Sequence, residues 1–464
     1  MDTSDLPAPQ GERHVLAAEE ELRLEVGFQK QSICRIVVLK GSCELQGVEL
    51  ATNKPYQFTD GGLKLALFTW HGCVVDVQCD ESLMEISYTS DETACNIAFV
   101  NTHAQLEALR DEAAASSGDG PRVLIVGPTE SGKSSLTKTL IAYATKLGRV
   151  PLWIDLDPAD NALSVPGTLA VCPMDREVVQ VEAFATTGIP HGTAAPLVLW
   201  HGNTEISPDL FRAQVTALGK KIDARLETDD WARSSGIIVN TNGWIQDEGY
   251  QLLLHTVTAL RITVILVMGH DRLYSMMKSA LKKQDESIKV IKVPRSGGVV
   301  SRGKEFIRQH RSRSVKRYFY GDTIDSAPQG STGHSTSAST KVPQLTPFLA
   351  HIKFDQVTVY KFASMSLSAS LLPVAAAQTT ESVQLVEVSD LASLQHKVVA
   401  VCHPQAVTVY QASKKAKDLY ESGVAGFCVV ERVIPDTETL HLLSPCAGSL
   451  PSYTLLVGDL TWME

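Results

Sequence analysis

The sequence predicts a three-domain α/β protein whose central domain is a parallel sheet covered by helices. Three observations predict it. Short apolar strands between turn signals fill the first hundred residues. From Pro121, apolar strands alternate with helical patterns around a glycine-rich loop. After a Ser/Thr/Gly-rich stretch, strand patterns return to the C-terminus. Strands followed by helices in alternation give parallel sheets with both faces covered.

The chain has 464 residues, more than one hydrophobic core usually organises. Hydrophobic residues make up 44% and charged residues 20%, values ordinary for a soluble globular protein. No run of about 18 apolar residues predicts a membrane span. The first residues, MDTSDLPAPQGERH, are polar and acidic and lack an apolar secretory core. Residues 1–18 are therefore expected to be a disordered tail. The net charge of −10 argues against a chain that coats nucleic acid, though it leaves room for a local basic groove. Nine cysteines form no C-x-x-C pair, and most lie in apolar runs. They read as reduced, buried thiols of a cytosolic or nuclear protein.

Residues 19–103 predict a small β-sandwich. Val26, Ile36, Val38, Leu45 and Val48 recur between Lys40-Gly41-Ser42 and Asp60-Gly61-Gly62, and Leu63–Trp70 is an apolar run. Thr102–Ala115 predicts a helix. Residues 104–320 predict the central domain. Its expected strands are Arg122–Val126, Val150–Ile154, Ile237–Asn240, Ile262–Met268 and Val290–Val293. Residues 321–343 read as a flexible linker, almost without apolar side chains. Residues 344–464 predict a third, mostly β domain.

The chemistry concentrates in Gly127-Pro128-Thr129-Glu130-Ser131-Gly132-Lys133-Ser134, which fits G-x-x-x-x-G-K-S/T between a strand and a helix. This P-loop turns backbone N–H groups inward around phosphates at a helix N-terminus. Gly127 through Ser135 are thus the predicted ATP site. Lys133 would reach the terminal phosphates, and Ser134 would hold Mg²⁺. Asp155-Leu156-Asp157 follows the next strand. There Asp157 would hold Mg²⁺ or accept a proton from an attacking hydroxyl. Gly269 ends a later strand where a metal-binding Asp would be usual. Asp271 reads as a substitute or a surface residue, and His270 as a packed or solvent-facing histidine. A GTPase reading is weaker, because no Asn-Lys-x-Asp guanine reader is evident.

Arg302, Lys304, Arg308, Arg311, Arg313, Lys316 and Arg317 crowd behind Pro294-Arg295-Ser296-Gly297-Gly298. The segment reads either as a basic lid contacting phosphates or RNA, or as a solvated helix face.

Several stretches converge on one family. They include PRVLIVGPTESGKSSL at Pro121–Leu136, FVNTHAQLEALR at Phe99–Arg110 and SVPGTLA at Ser164–Ala170. NTNGW at Asn240–Trp244, PRSGGVV at Pro294–Val300, RYFYG at Arg317–Gly321 and VAGFCVV at Val424–Val430 belong to the same set. The chain resembles the polyribonucleotide 5′-hydroxyl kinases, most closely their eukaryotic branch, the ATP-binding subunit of the pre-mRNA 3′-end cleavage factor. The resemblance implies a nuclear protein that binds ATP and Mg²⁺ and joins a scaffold subunit and other 3′-end processing subunits. It also implies residue roles. Asp157 would be the base for an RNA 5′-hydroxyl. Trp244 would stack on the terminal base, unless it packs in the core. Arg302 and Arg308 would be lid and RNA contacts, and Glu21 and Lys64 would approach the adenine.

The sequence departs from active members at several points. They carry Asp-x-Gly-Gln where this chain has Asp157-Pro158-Ala159-Asp160. A second lid arginine would fall at Ile307, with Arg308 one residue on and about 100° around a helix. Two functions follow as expectations. One is an ATP-bound assembly subunit with little or no kinase activity. The other is an active polynucleotide 5′-hydroxyl kinase serving mRNA 3′-end processing and tRNA splicing.

Overall fold

A computed structural model describes residues 6–9, 11–28, 33–59, 62–79, 84–186, 188, 193–283, 287–321, 323–326, 340–343, 345–364 and 383–463. The Asp60–Gly61 turn signal lies outside them.

The N-terminal domain is the expected β-sandwich of two antiparallel sheets. Alternation builds it. Leu22, Leu24 and Val26 of the strand Glu21–Val26 point inward against Ile36, Val38, Val75 and Val77 of the facing sheet. The tail expectation needs correcting, because Glu12–Leu16 is a strand. It pairs antiparallel with Cys73–Val77, and Leu16 enters the sandwich core. The edge of the Cys73–Gln78 strand orders this polar segment through backbone bonds.

A helix, Ala94–Ser116, leads into the central domain and is longer than the expected Thr102–Ala115. Five parallel strands follow. Leu152–Leu156, Ile237–Thr241, Arg122–Val126, Val264–Met268 and Lys289–Val293 lie side by side in that order. Their residues alternate between two cores. Val123 and Ile125 pack on one face, Leu124 and Val126 on the other. Thr168–Pro173 and Leu197–Trp200 extend the sheet antiparallel, so it is mixed.

Among its described residues the C-terminal domain is a seven-stranded sheet with two short α-helices, Pro404–Ser413 and Lys417–Tyr420. It shares a core with the central domain. Trp200 packs on Phe427 at 5.6 Å between ring centres, and Phe319 stacks on Trp462 at 6.1 Å. The Trp462 indole donates to the Ser312 carbonyl at 3.1 Å. The linker expectation also needs correcting where it is described: Thr323–Ser326 pairs antiparallel with Thr340–Pro343. The described cysteines form no disulfides among themselves. Cys446 is exposed, Cys79 is half-buried and the others are buried. Among the described residues no helix is long and apolar enough to cross a membrane.

Candidate functional site

The central strand Arg122–Val126 is buried throughout and delivers Gly127 at its carboxyl end. A side chain at Gly127 would come within 2.8 Å of the Ser131 hydroxyl and 3.0 Å of Met268. Gly132, with φ +92°, turns the chain into the helix Lys133–Lys146. The loop opens on a cleft of about 790 Å³. Thr129, Glu130, Ser131, Gly132, Lys133, Ser134 and Ser135 line it, while Gly127 and Pro128 do not.

The Lys133 ammonium donates to the Pro128 carbonyl at 2.7 Å. Burial pushes it down to about 8, against the pull of Asp157, and Arg302 pushes the same way. This buried cation thus lacks a full counter-charge from the protein. The Ser131 hydroxyl and the Asn240 carbonyl oxygen are buried without a protein partner. Together they form a cradle suited to a nucleotide's phosphates.

The strand Leu152–Leu156 carries Asp155 near its carboxyl end, and Asp157 follows directly after it. Asp155 is fully buried and accepts from the Asp157 and Ala162 amides and from the Asn240 amide nitrogen at 3.1 Å. Asp157 lines the cleft and accepts from the Ala159 amide at 3.0 Å. Burial pushes Asp155 up to about 7, and the charge of Asp157 adds to this. Burial and then Asp160 push Asp157 in the same direction.

A pH dependence follows. An unfolded aspartate releases its proton near pH 4. Folded Asp155 keeps it until about 7. In that window the folded chain binds more protons, so stability from this group falls as pH rises from 4 to 7. Urea unfolding of nucleotide-free protein should show a loss on the order of 2 kcal/mol between pH 5 and 7.5. Asp155→Asn should flatten that slope. An equal slope in the variant would count against the assignment.

Asn240 is a site residue the sequence reading missed. It is the penultimate residue of Ile237–Thr241, the strand between the P-loop strand and the Asp155 strand, and its amide also reaches the Ser134 hydroxyl at 3.4 Å. A polar residue at the carboxyl end of a central strand was the available signal.

Trp244 sits at the cleft rim, 40% exposed, and is therefore not core packing. Gly243 allows this position, because a side chain there would collide with Thr129. Glu21 and Lys64 reach the cleft from the N-terminal sandwich. Glu21 is buried and holds Arg23 at 2.6 Å. Lys64 pairs with Glu25 at 2.5 Å and lies 5.4 Å over the Phe306 ring.

The basic segment forms the helix Lys304–Tyr320, which covers the cleft as a lid. Arg302 precedes it. Its amide donates to the Glu130 carboxylate at 2.5 Å and its guanidinium to Asp160 at 2.7 Å. Arg308 does not reach the cleft. It is exposed and pairs with Glu305 one turn back, at 2.8 Å. The rotation between neighbouring helix positions puts Ile307 inward instead. His310 and Arg311, two further residues the reading gave no individual site role, also line the cleft. Behind the fourth strand, the His270 imidazole accepts from the Leu273 amide and caps the helix Asp271–Lys282. Asp271 is a surface residue paired with Lys292.

A glycine cradle at a helix N-terminus, a buried lysine and carboxylates at the end of the strand one removed from the P-loop strand define a P-loop nucleotide-binding protein. Family models sharpen this. Residues 127–321 match the "mRNA cleavage and polyadenylation factor CLP1 P-loop". Residues 15–113 match the "N-terminal beta-sandwich domain of polyadenylation factor", and 345–464 the "Pre-mRNA cleavage complex II protein Clp1". The chain is 33% identical over 451 residues to the human "Polyribonucleotide 5'-hydroxyl-kinase Clp1", covering 97% of this chain and 96% of that protein. It is 33% identical over 458 residues to the "Protein CLP1 homolog" of Dictyostelium discoideum, covering 97% and 89%. The protein belongs to the Clp1 family. Its fold matches that of Clp1p in a wild-type Clp1p–Pcf11p complex, with a TM-score of 0.78 at 23% identity over 98% of this chain and 99% of that one. A second Clp1p structure, described for its extended Pcf11p interface and for ATP loss in a glycine-to-arginine point mutant, gives 0.79 at 22% identity, covering 99% and 100%.

Proposed function

We propose that this protein is the ATP-holding subunit of a nuclear pre-mRNA 3′-end cleavage and polyadenylation factor. ATP is a structural ligand in this reading, with little or no transfer of its terminal phosphate. The observation that carries it is a complete cradle beneath an altered lid. Lys133, Ser134 and the glycine turns are in place. The inward lid position beside Arg302 is Ile307, and an added carboxylate, Asp160, faces the same cleft. Phosphoryl transfer depends on preorganised positive charge around the moving group. Here the second inward lid position is the uncharged Ile307, and Arg302 is already bound to an anion.

Ser134 and Asp157 would hold Mg²⁺, which when bound neutralises phosphate charge. Glu21 and Lys64 would bring the sandwich against the adenine, so that ATP joins two domains. A ligand bound only to the folded state stabilises it. The partner would be the factor's scaffold subunit, by analogy with Pcf11p in the structures of matching fold.

A second reading is an active RNA 5′-hydroxyl kinase. It is favoured by Asp157 lining the same cleft as Lys133 and by Trp244 at the rim. One experiment separates the two. Nucleotide released from denatured, purified protein is identified, and the protein is incubated with labelled ATP and a 5′-hydroxyl RNA. Intact ATP with no transfer above an Asp157→Ala control is the expected result. Transfer clearly above that control would establish the kinase instead.

A further inference from the structure

Asp160 binds the lid at two points. Its carboxylate takes the Arg302 guanidinium at 2.7 Å, just before the lid helix, and the His310 imidazole at 3.1 Å, two turns into it. Its neighbour Ala159 accepts from the Arg311 guanidinium at 2.8 Å. The Arg302 amide is fixed to Glu130 in the phosphate loop. The lid is thus tied to both loops that shape the phosphate end of the cleft. Between these two contacts, Phe306 stacks on His310 and packs against Phe28 of the sandwich at 4.9 Å.

The charges around Asp160 suit a clasp. Arg302 and His310 face it from the lid, and Lys138 lies beneath it on the phosphate-loop helix. Asp157 is the nearby anion. Burial would raise the Asp160 carboxyl, but the His310 imidazole and the Arg302 guanidinium hold it well below the usual range. An arginine that closes only onto a phosphate leaves the lid open when the phosphate goes. Here the protein supplies the anion itself, and the closed lid does not depend on what lies beneath it.

We infer that Asp160 is a latch, a positioning residue that clamps the lid over the nucleotide and sets how long ATP stays bound. Release requires both Asp160 contacts, the Arg302–Glu130 bond and the Arg311–Ala159 bond to part together. The inference rests on the reading that ATP occupies the cleft, and adds what controls its exchange.

The test loads the full-length protein with a fluorescent ATP analogue and Mg²⁺, then chases with excess unlabelled ATP. Asp160→Asn keeps the side chain's size and removes its charge. It should speed release about 10-fold or more, since charge-assisted hydrogen bonds are roughly twice as strong as neutral ones. Arg302→Gln should act similarly. The double variant should release no faster than the faster single one, because both break one contact. If Asp160→Asn fails to fold, His310→Gln removes one latch partner and should speed release about threefold. Unchanged release, or fully additive effects, would overturn the latch alone. A wild-type chain that binds no nucleotide would overturn the ATP reading and the latch with it.

Discussion

Lys133→Ala is expected to weaken nucleotide binding by about 100-fold while leaving the nucleotide-free fold intact. The two halves of this result have one cause. The ammonium is buried and bonded to the Pro128 carbonyl. Burial pushes it down to about 8, with Asp157 the countering charge. In the empty protein this cation is a cost as much as a contact, and its removal relieves that cost. Phosphates supply the missing counter-charge. A hydrogen bond to a charged group is worth about 1.5–3 kcal/mol, and each 1.4 kcal/mol is tenfold in affinity. Calorimetric titration with ATP and Mg²⁺ measures the loss. Melting supplies the contrast. Saturating ATP at about 100 times its dissociation constant stabilises the wild type by about 2.7 kcal/mol. At the same ATP concentration that gain should shrink to about 0.4 kcal/mol in the variant, while the melting temperatures without ATP stay within a few degrees. Equal ATP-induced shifts in both proteins would remove Lys133 from the phosphate site.

The difference between what the chain announced and what it concealed follows sequence distance. The phosphate loop was legible because strand, glycine turn and helix are contiguous, and their spacing fixes the geometry. Asp157 was legible because it follows the next strand in the sequence, although Ile237–Thr241 comes between the two in the sheet. The one-residue offset at Arg308 was legible as a helix rotation, and the helix keeps Arg308 outside and Ile307 inside. The individual site roles of His310 and Arg311 were not legible, because they arise only when the lid meets a loop more than a hundred residues earlier. Asn240 was hidden in an apolar strand, where its amide gains meaning from Ser134 and Asp155 on two other elements. The strand Glu12–Leu16 has one buried residue in five, a pattern too weak to read without its partner. The antiparallel strands Thr168–Pro173 and Leu197–Trp200 went unread, although apolar residues fill them. The core joining Trp200 to Phe427 was concealed by the polar stretch between their domains, which suggested independence.

Restoring the lid should restore transfer. Ile307→Arg with Asp160→Gln is expected to raise phosphoryl transfer from ATP to a 5′-hydroxyl RNA by about 100-fold or more over the wild-type chain. Ile307 already lines the cleft, so an arginine there enters beside the phosphates without a change of helix register. Asp160→Gln removes the anion that holds Arg302 at 2.7 Å and leaves an uncharged amide in its place. Both changes add positive potential at one point, and one preorganised donor is typically worth about 10²–10³ in rate. Ile307→Arg alone should gain less, because Asp160 would still neutralise part of the added charge. Asp157→Ala in the double-variant background should abolish the gain, since the base is then missing although both arginines are present. This dependence separates true transfer from contaminating kinase, which Asp157 cannot influence. A double variant as silent as the wild type would clear Ile307 and Asp160 of blame. The obstruction would then lie in Pro158-Ala159, where the resembling active kinases carry a glycine and the backbone amide of Ala159 is already bonded to Asp157.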